Sequence, residues 1–121
     1  MDILIVGYGR VGKRTANILG SEGHEVTIVE QDGAKVAQAT KDGFEAHEGD
    51  GEDERMLEAA GIADVDAVGA LTGDLNVNFA ACMVGKAHDV RTVMRIDEDY
   101  REEIYEKYAA DVDEIVYPER L

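Results

Sequence analysis

Tryptophan is absent, and proline and cysteine occur once each, as Pro118 and Cys82. A single cysteine leaves no internal disulfide framework and no multi-thiolate zinc site. No apolar run approaches the ~20 residues that a membrane span needs, so direct membrane insertion is not expected. The opening, Met1-Asp2-Ile3, lacks the basic segment that starts a secretory signal. A cytoplasmic protein is the resulting expectation. Positive charge is scarce too. Twelve Lys and Arg stand against 27 Asp and Glu, for a formal net charge of -15 over 121 residues. That excludes the basic footprint of a nucleic-acid binder and sets the chain against anionic membrane surfaces. The balance fits a halophilic surface: at about 1 M salt the Debye length shrinks to about 3 Å, which screens the self-repulsion. An ordinary acidic protein is the alternative.

Hydrophobic residues make up 45% of the chain, enough for one core, and the length suits one domain. Ile3-Leu4-Ile5-Val6 is a short, continuous apolar run of the kind that forms a strand buried on both faces. From Val11 the spacing turns helical until Gly20 to Gly23. Val26 to Val29 reads as a second strand, Ala34 to Ala39 as a helix stopped near Gly43, and Phe44 to His47 as a weaker strand. The rhythm then repeats. Met56 to Ala60 is helical, Val65 to Leu71 a strand, Asn78 to Ala87 a helix rich in small residues, and Arg91 to Ile96 a strand. Tyr100 to Tyr108 reads as a helix and Glu114 to Tyr117 as a last strand. Strands alternating with helices imply a parallel sheet with helices on both faces. The predicted fold is a doubly wound α/β Rossmann fold, six strands in order 3-2-1-4-5-6. The chain stops soon after the last strand, leaving that strand's far side without a covering helix. The expectation is a piece of a longer protein or a domain that pairs with another copy.

Gly7-Tyr8-Gly9-Arg10-Val11-Gly12 fits G-x-G-x-x-G, directly after a buried strand and at the start of a helix. Gly7 permits the turn, Gly9 lets a pyrophosphate approach the backbone, and Gly12 lets helix and strand pack closely. The first helical amides then face the phosphates, with Arg10 as an added cation. Glu30 lies about 20 residues further on, where the fingerprint places the acid that accepts ribose hydroxyls. A carboxylate there disfavours the 2′-phosphate of NADP. Asp32 either assists Glu30 or caps the next helix, the cap being the preferred reading.

Ligands of such sheets sit beyond the carboxyl ends of the strands. Asp50, between Gly49 and Gly51, either contacts the adenosine or forms an Asx turn. Thr72 and Asp74 either cap the following helix or approach the phosphates from the side opposite Gly7. Arg95, in an otherwise apolar strand, is either a ligand or partner contact or half of an internal salt bridge. No catalytic constellation can be assembled. His24, His47 and His88 are dispersed, and Cys82 sits among alanines as a small core residue.

The ordered set of motifs resembles the N-terminal nucleotide-binding domain of TrkA-type proteins, the RCK (regulator of conductance of potassium) domain. It comprises Ile5 to Gly12, Val29-Glu30-Gln31-Asp32, Glu48-Gly49-Asp50-Gly51 and Leu57 to Ile62. Asp66-Ala67-Val68, Ala70-Leu71-Thr72-Gly73-Asp74, Asn78, Arg95 and Val116-Tyr117-Pro118-Glu119 complete it. The resemblance spans essentially the whole chain and implies one Rossmann domain over residues 1–121, without the smaller C-terminal RCK domain that often follows. It implies a regulator, not an enzyme, that gates a membrane potassium transporter or channel subunit. It also implies NAD(H) or ATP, ADP or AMP as ligand, and pairing into a homodimer or larger ring. By position, Gly7, Tyr8, Gly9, Arg10, Val11 and Gly12 would hold phosphates. Glu30 with Gln31 would hold the ribose, and Asp50 with Gly51 the adenine side. Thr72, Gly73, Asp74 and Arg95 would line the far side. Where the family commonly carries an acid and then Glu after Asp74, this chain has Leu75 and Asn76, which weakens ion or phosphate contacts at that loop. The alternative class is the cofactor domain of an NAD-dependent oxidoreductase.

The halophilic reading predicts a melting temperature that climbs between low and molar salt. A melting temperature indifferent to salt removes it.

Overall fold

The computed structural model describes residues 1–97, 107 and 110–118. Strand β1 (Asp2–Val6) lies at the centre of the sheet. It pairs in parallel with β2 (Glu25–Glu30) on one side and β4 (Ala67–Ala70) on the other. Beyond them lie β3 (Glu45–Glu48), β5 (Arg91–Arg95) and β6 (Glu114–Val116), giving one six-stranded parallel sheet in the order β3-β2-β1-β4-β5-β6. The expected order and direction hold.

The apolar run of β1 is buried throughout, from Ile3 to Val6, because each face of the sheet carries its own core. Leu4 and Val6 join Val29, Val68 and Met94 under α3 (Glu54–Ala59) and α4 (Leu75–Ala87), which contribute Leu57, Ala81 and Cys82. Ile3 and Ile5 join Val26 and Ile28 under α1 (Arg10–Ser21) and α2 (Gly33–Lys41), which contribute Ala16 and Ala39. Full burial of each large aliphatic side chain is worth roughly 1.5–3 kcal/mol. The strand that ends in the glycine motif is therefore the most firmly anchored one. Cys82 is a small core residue, as expected. Its thiol faces the Val93 carbonyl at 3.6 Å, and burial pushes its pKa up to about 12.

Several boundaries differ from the sequence reading, for local reasons. The strand expected over Val65 to Leu71 contracts to Ala67–Ala70. Ile62–Asp64 forms a 3-10 turn, and Asp66 is clamped to the start of β1: its N–H donates to the Asp2 carbonyl (2.7 Å), and its carboxylate accepts the Asp2 N–H (2.8 Å). Helix α4 begins ahead of Asn78 because Asp74 caps it, accepting N–H bonds from Asn76 and Val77 at 2.9 and 3.3 Å. Asp32 likewise caps α2 through Ala34 N–H (2.9 Å), the preferred reading of that residue. The third strand starts one residue late because Phe44 turns inward and meets Tyr8 edge-to-face, centroids 6.2 Å apart. The helix expected over Tyr100 to Tyr108 lies, Lys107 apart, outside the described residues, as does Glu119.

Tyr8 also ties the end of β1 to the far end of α2. Its phenol, 2% exposed, donates to Asp42 Oδ2 at 2.5 Å, and Asp42 also accepts Gln38 Nε2–H at 2.8 Å. Burial above all, then the Asp42 bond and charge, pushes the phenol from 10.0 up to about 12, while the Tyr8 bond holds Asp42 below the usual carboxylate range. A phenol that ionises later in the folded chain than in the unfolded one stabilises the fold fully below pH 10, and this contribution is lost as pH climbs through about 12. The free energy of unfolding in urea should therefore fall across that interval. Tyr8→Phe, which keeps the ring, should flatten the fall; an equally steep fall in the variant would disprove the assignment.

Candidate functional site

The loops that follow β1, β2, β3, β4 and β5 all open at one edge of the sheet. At the centre, Gly7 leaves β1 with φ +106°, a conformation that L side chains avoid, and its N–H donates to the Val29 carbonyl at 2.8 Å. A Cβ on Gly12 would run into the Gly7 carbonyl. The first turn of α1 thus rests directly on the end of β1. Gly9 is the N-cap of α1 and supplies no capping side chain, and the first turn holds no acid. Helices α2, α3 and α4 begin instead on Asp32, Asp53 and Asp74, each of which accepts N–H bonds. The first amides of α1 therefore lack a side-chain acceptor, and the positive end of its dipole faces the opening.

Glu30 stands beside this turn and is held at both oxygens. Oε1 accepts the Tyr8 N–H (2.8 Å) and Oε2 the Asp32 N–H (2.7 Å). Each oxygen keeps a further lone pair for a hydroxyl donor. The Tyr8 amide is thereby engaged and its ring lies in the core, so Tyr8 shapes the turn from below. Gln31 is exposed next to Glu30. Arg10 is exposed as well. It lines a groove between α1 and Pro118 with Val11, Arg14, Thr15 and Ile18, and Val11 also packs against the core beneath α1.

Asp50 forms the Asx turn, accepting Glu52 N–H at 2.8 Å. Gly51 behind it is buried, and a Cβ there would strike Val6 and Val77, so this loop folds over the end of β1. On the opposite side, Thr72 lies against Gly7: a Cβ on Gly7 would sit 3.0 Å from the Thr72 methyl. Gly73 is exposed at the loop tip. Thr72, Asp74 and Arg95 each have internal partners. The Thr72 hydroxyl donates to Asn78 Oδ1 (2.6 Å) and accepts the Asp74 N–H (3.0 Å). Arg95 pairs with Asp97 (2.9 Å) and donates to the Leu71 carbonyl (3.2 Å), the internal salt bridge among its alternatives.

Two residues outside the sequence-derived set belong to this edge. Asn78 is buried and uses all its polar capacity. Its Nδ2 donates to the carbonyls of Thr72 (2.9 Å) and Arg95 (3.1 Å), and its Oδ1 accepts the Thr72 N–H (3.0 Å) as well as the hydroxyl. It locks the loop after β4 to the end of β5. Asn78 already stood among the residues that carry the family resemblance, and as a polar residue in a stretch of small helical ones, but neither signal gave it a role. Lys35, in the first turn of α2, brings Nζ to 4.0 Å from the place of a Gly9 Cβ. Nothing in the local sequence distinguishes it from a solvated lysine.

The edge therefore offers amides and cations for phosphate beside a fixed carboxylate for hydroxyls. Among the described residues, no group of three His, Cys, Asp or Glu is placed to hold a metal, and no helix is long and apolar enough to cross a membrane.

The family model of the TrkA-N domain matches residues 3–118. The chain is 36% identical over 111 residues to a Trk system potassium uptake protein TrkA homolog of Pyrococcus abyssi, covering 88% of this chain and 48% of that protein. It is 31% identical over 121 residues to the Ktr system potassium uptake protein C of Bacillus subtilis, covering 98% and 54%. The chain thus spans about half the length of the curated relatives it matches. In fold it is similar to the TrkA-N domain of the inner membrane protein YbaL from Escherichia coli (TM-score 0.85, 20% identity, 98% of this chain and 88% of that one). It is also similar to a Shewanella denitrificans Kef C-terminal domain in an AMP-bound form (0.80, 19%, 97% and 71%) and to the GsuK channel bound to NAD (0.78, 18%, 95% and 21%).

Asn78→Ala should lower the unfolding free energy by about 2–3 kcal/mol, since it strands buried donors and acceptors. Asn76→Ala, exposed two residues earlier on the same helix, should stay within about 0.5 kcal/mol of wild type. Urea denaturation compares them, and equal losses would show that the buried network contributes nothing.

Proposed function

The chain belongs to the TrkA-N domain family, and on that premise we propose that it is the nucleotide-responsive regulatory unit of a potassium uptake system. In this reading residues 1–121 form one nucleotide-binding unit that takes NAD(H) or ATP, ADP or AMP. The phosphates lie on Gly7, Gly9 and the first amides of α1, with Arg10 as an added cation. The adenosine ribose hydrogen-bonds to Glu30. The observation that carries the reading is the pairing of an uncapped α1 with a Glu30 whose two oxygens are already oriented by backbone N–H groups. Such a carboxylate is preorganised for hydroxyls and repels a 2′-phosphate, which disfavours NADP. The names of the relatives support a role in potassium uptake. The AMP-bound and NAD-bound neighbours support an adenine nucleotide.

The unit works from the cytoplasmic side on a membrane transporter or channel subunit, as a homodimer or part of a larger ring. Binding shifts the arrangement of paired units only if one arrangement holds the nucleotide more tightly. A 5–150-fold preference corresponds to about 1–3 kcal/mol of coupling. The oxidoreductase alternative draws on a reductase neighbour at 17% identity, a likeness of fold alone.

Calorimetric titration with NAD, NADH, ATP, ADP and AMP tests the reading. At least one should bind saturably, NADP should compete less well than NAD, and the bound nucleotide should alter the assembly or the transport of the partner. An empty cleft at millimolar concentrations of every nucleotide overturns it.

A further inference from the structure

Positive charge is rare in this chain, yet it gathers at Gly9. Among the described residues, Lys35 Nζ is the single atom that a Cβ at Gly9 would find within 4 Å. Lys35 belongs to the first turn of α2, where a cation works against the helix dipole, and that turn contains no acid. The carboxylates of Glu30 and Asp32, just ahead of α2, are turned to other donors. Glu30 accepts Tyr8 and Asp32 amides, and Asp32 caps Ala34. Lys35 takes part in none of the ion pairs among the described residues. An ammonium group without a carboxylate, in a chain of net charge -15, thus overhangs the uncapped start of α1.

We propose that Lys35 is a ligand-binding residue that contacts the phosphate esterified to the adenosine 5′ oxygen. The inference rests on the nucleotide reading above and adds a residue to it. Glu30, which takes the ribose, ends β2 five residues before Lys35, and Gly9 lies across the opening. A 5′-phosphate leaving that ribose toward Gly9 passes between the ammonium group and the amides of α1. Lys35 closes over it from α2 while α1 holds it from below. Recognition then falls on an adenosine bearing a phosphate, with the unphosphorylated nucleoside left without this contact.

Calorimetry on the full chain with AMP and with adenosine as probes separates the possibilities. Lys35→Met should weaken AMP about three- to tenfold, the range of a partly exposed charge-assisted contact, and leave adenosine unchanged. Lys35→Arg should recover most of the loss. Lys41→Met, the same charge change at the opposite end of α2, should bind AMP like wild type. Lys35→Met binding AMP as wild type does, or losing AMP and adenosine alike, overturns this assignment and leaves the nucleotide reading standing. Wild-type protein that binds AMP, ADP, ATP and NAD not at all removes both.

Discussion

The backbones of Gly7 and Gly12 touch where β1 gives way to α1, and the rest of the edge is built around that contact. There is no room for a side-chain carbon between them, so helix and strand approach as closely as main chains can. This fixes the direction in which α1 starts and aims its first amides across the end of the sheet. It also commits Tyr8 to the space beneath the turn, where its ring packs on Phe44 and its hydroxyl reaches Asp42. The Tyr8 amide is in turn presented to Glu30. One steric requirement therefore orders the uncapped amides of α1, the Glu30 carboxylate and the seating of α2.

The two halves of the sheet meet at this contact with different chemistry. On the β1–β2 side, charge and main-chain dipoles meet: the start of α1, Glu30 and Lys35. On the β4–β5 side, the groups are tied to one another. Thr72, Asp74 and Arg95 are engaged with Asn78, Asp97 and backbone carbonyls. Thr72 nonetheless lies in contact distance of Gly7. Thr72 thus forms a wall beside the glycine turn whose position is set by Asn78 and carried into α4 and β5. Packed elements tied in this way shift between discrete arrangements and do not deform continuously.

The acidity of the chain sharpens the contrast. Helix α1 carries Arg10, Lys13 and Arg14 with no acid in its first turn. Lys35 adds a further positive charge beside Gly9 in a strongly acidic molecule. Low-dielectric walls focus such a local field.

The sequence by itself determined the sheet and the turn. A continuous apolar run, a glycine motif and an acid after the second strand each constrain backbone locally, and local constraint is visible along the chain. Ile3 to Val6 announced burial on both faces, and Gly7 and Gly12 announced the close approach. Asp32 offered a cap or a ligand contact, and the structure shows it capping. The tertiary structure decided what depends on neighbours distant in sequence. It brought Arg95 to the Leu71 carbonyl, turned Tyr8 into the core, made Asn78 the lock between two loops and brought Lys35 over Gly9. Each of these depends on a distance between elements, and a side chain in an amphipathic helix carries no mark of which loop it will meet once the sheet has closed.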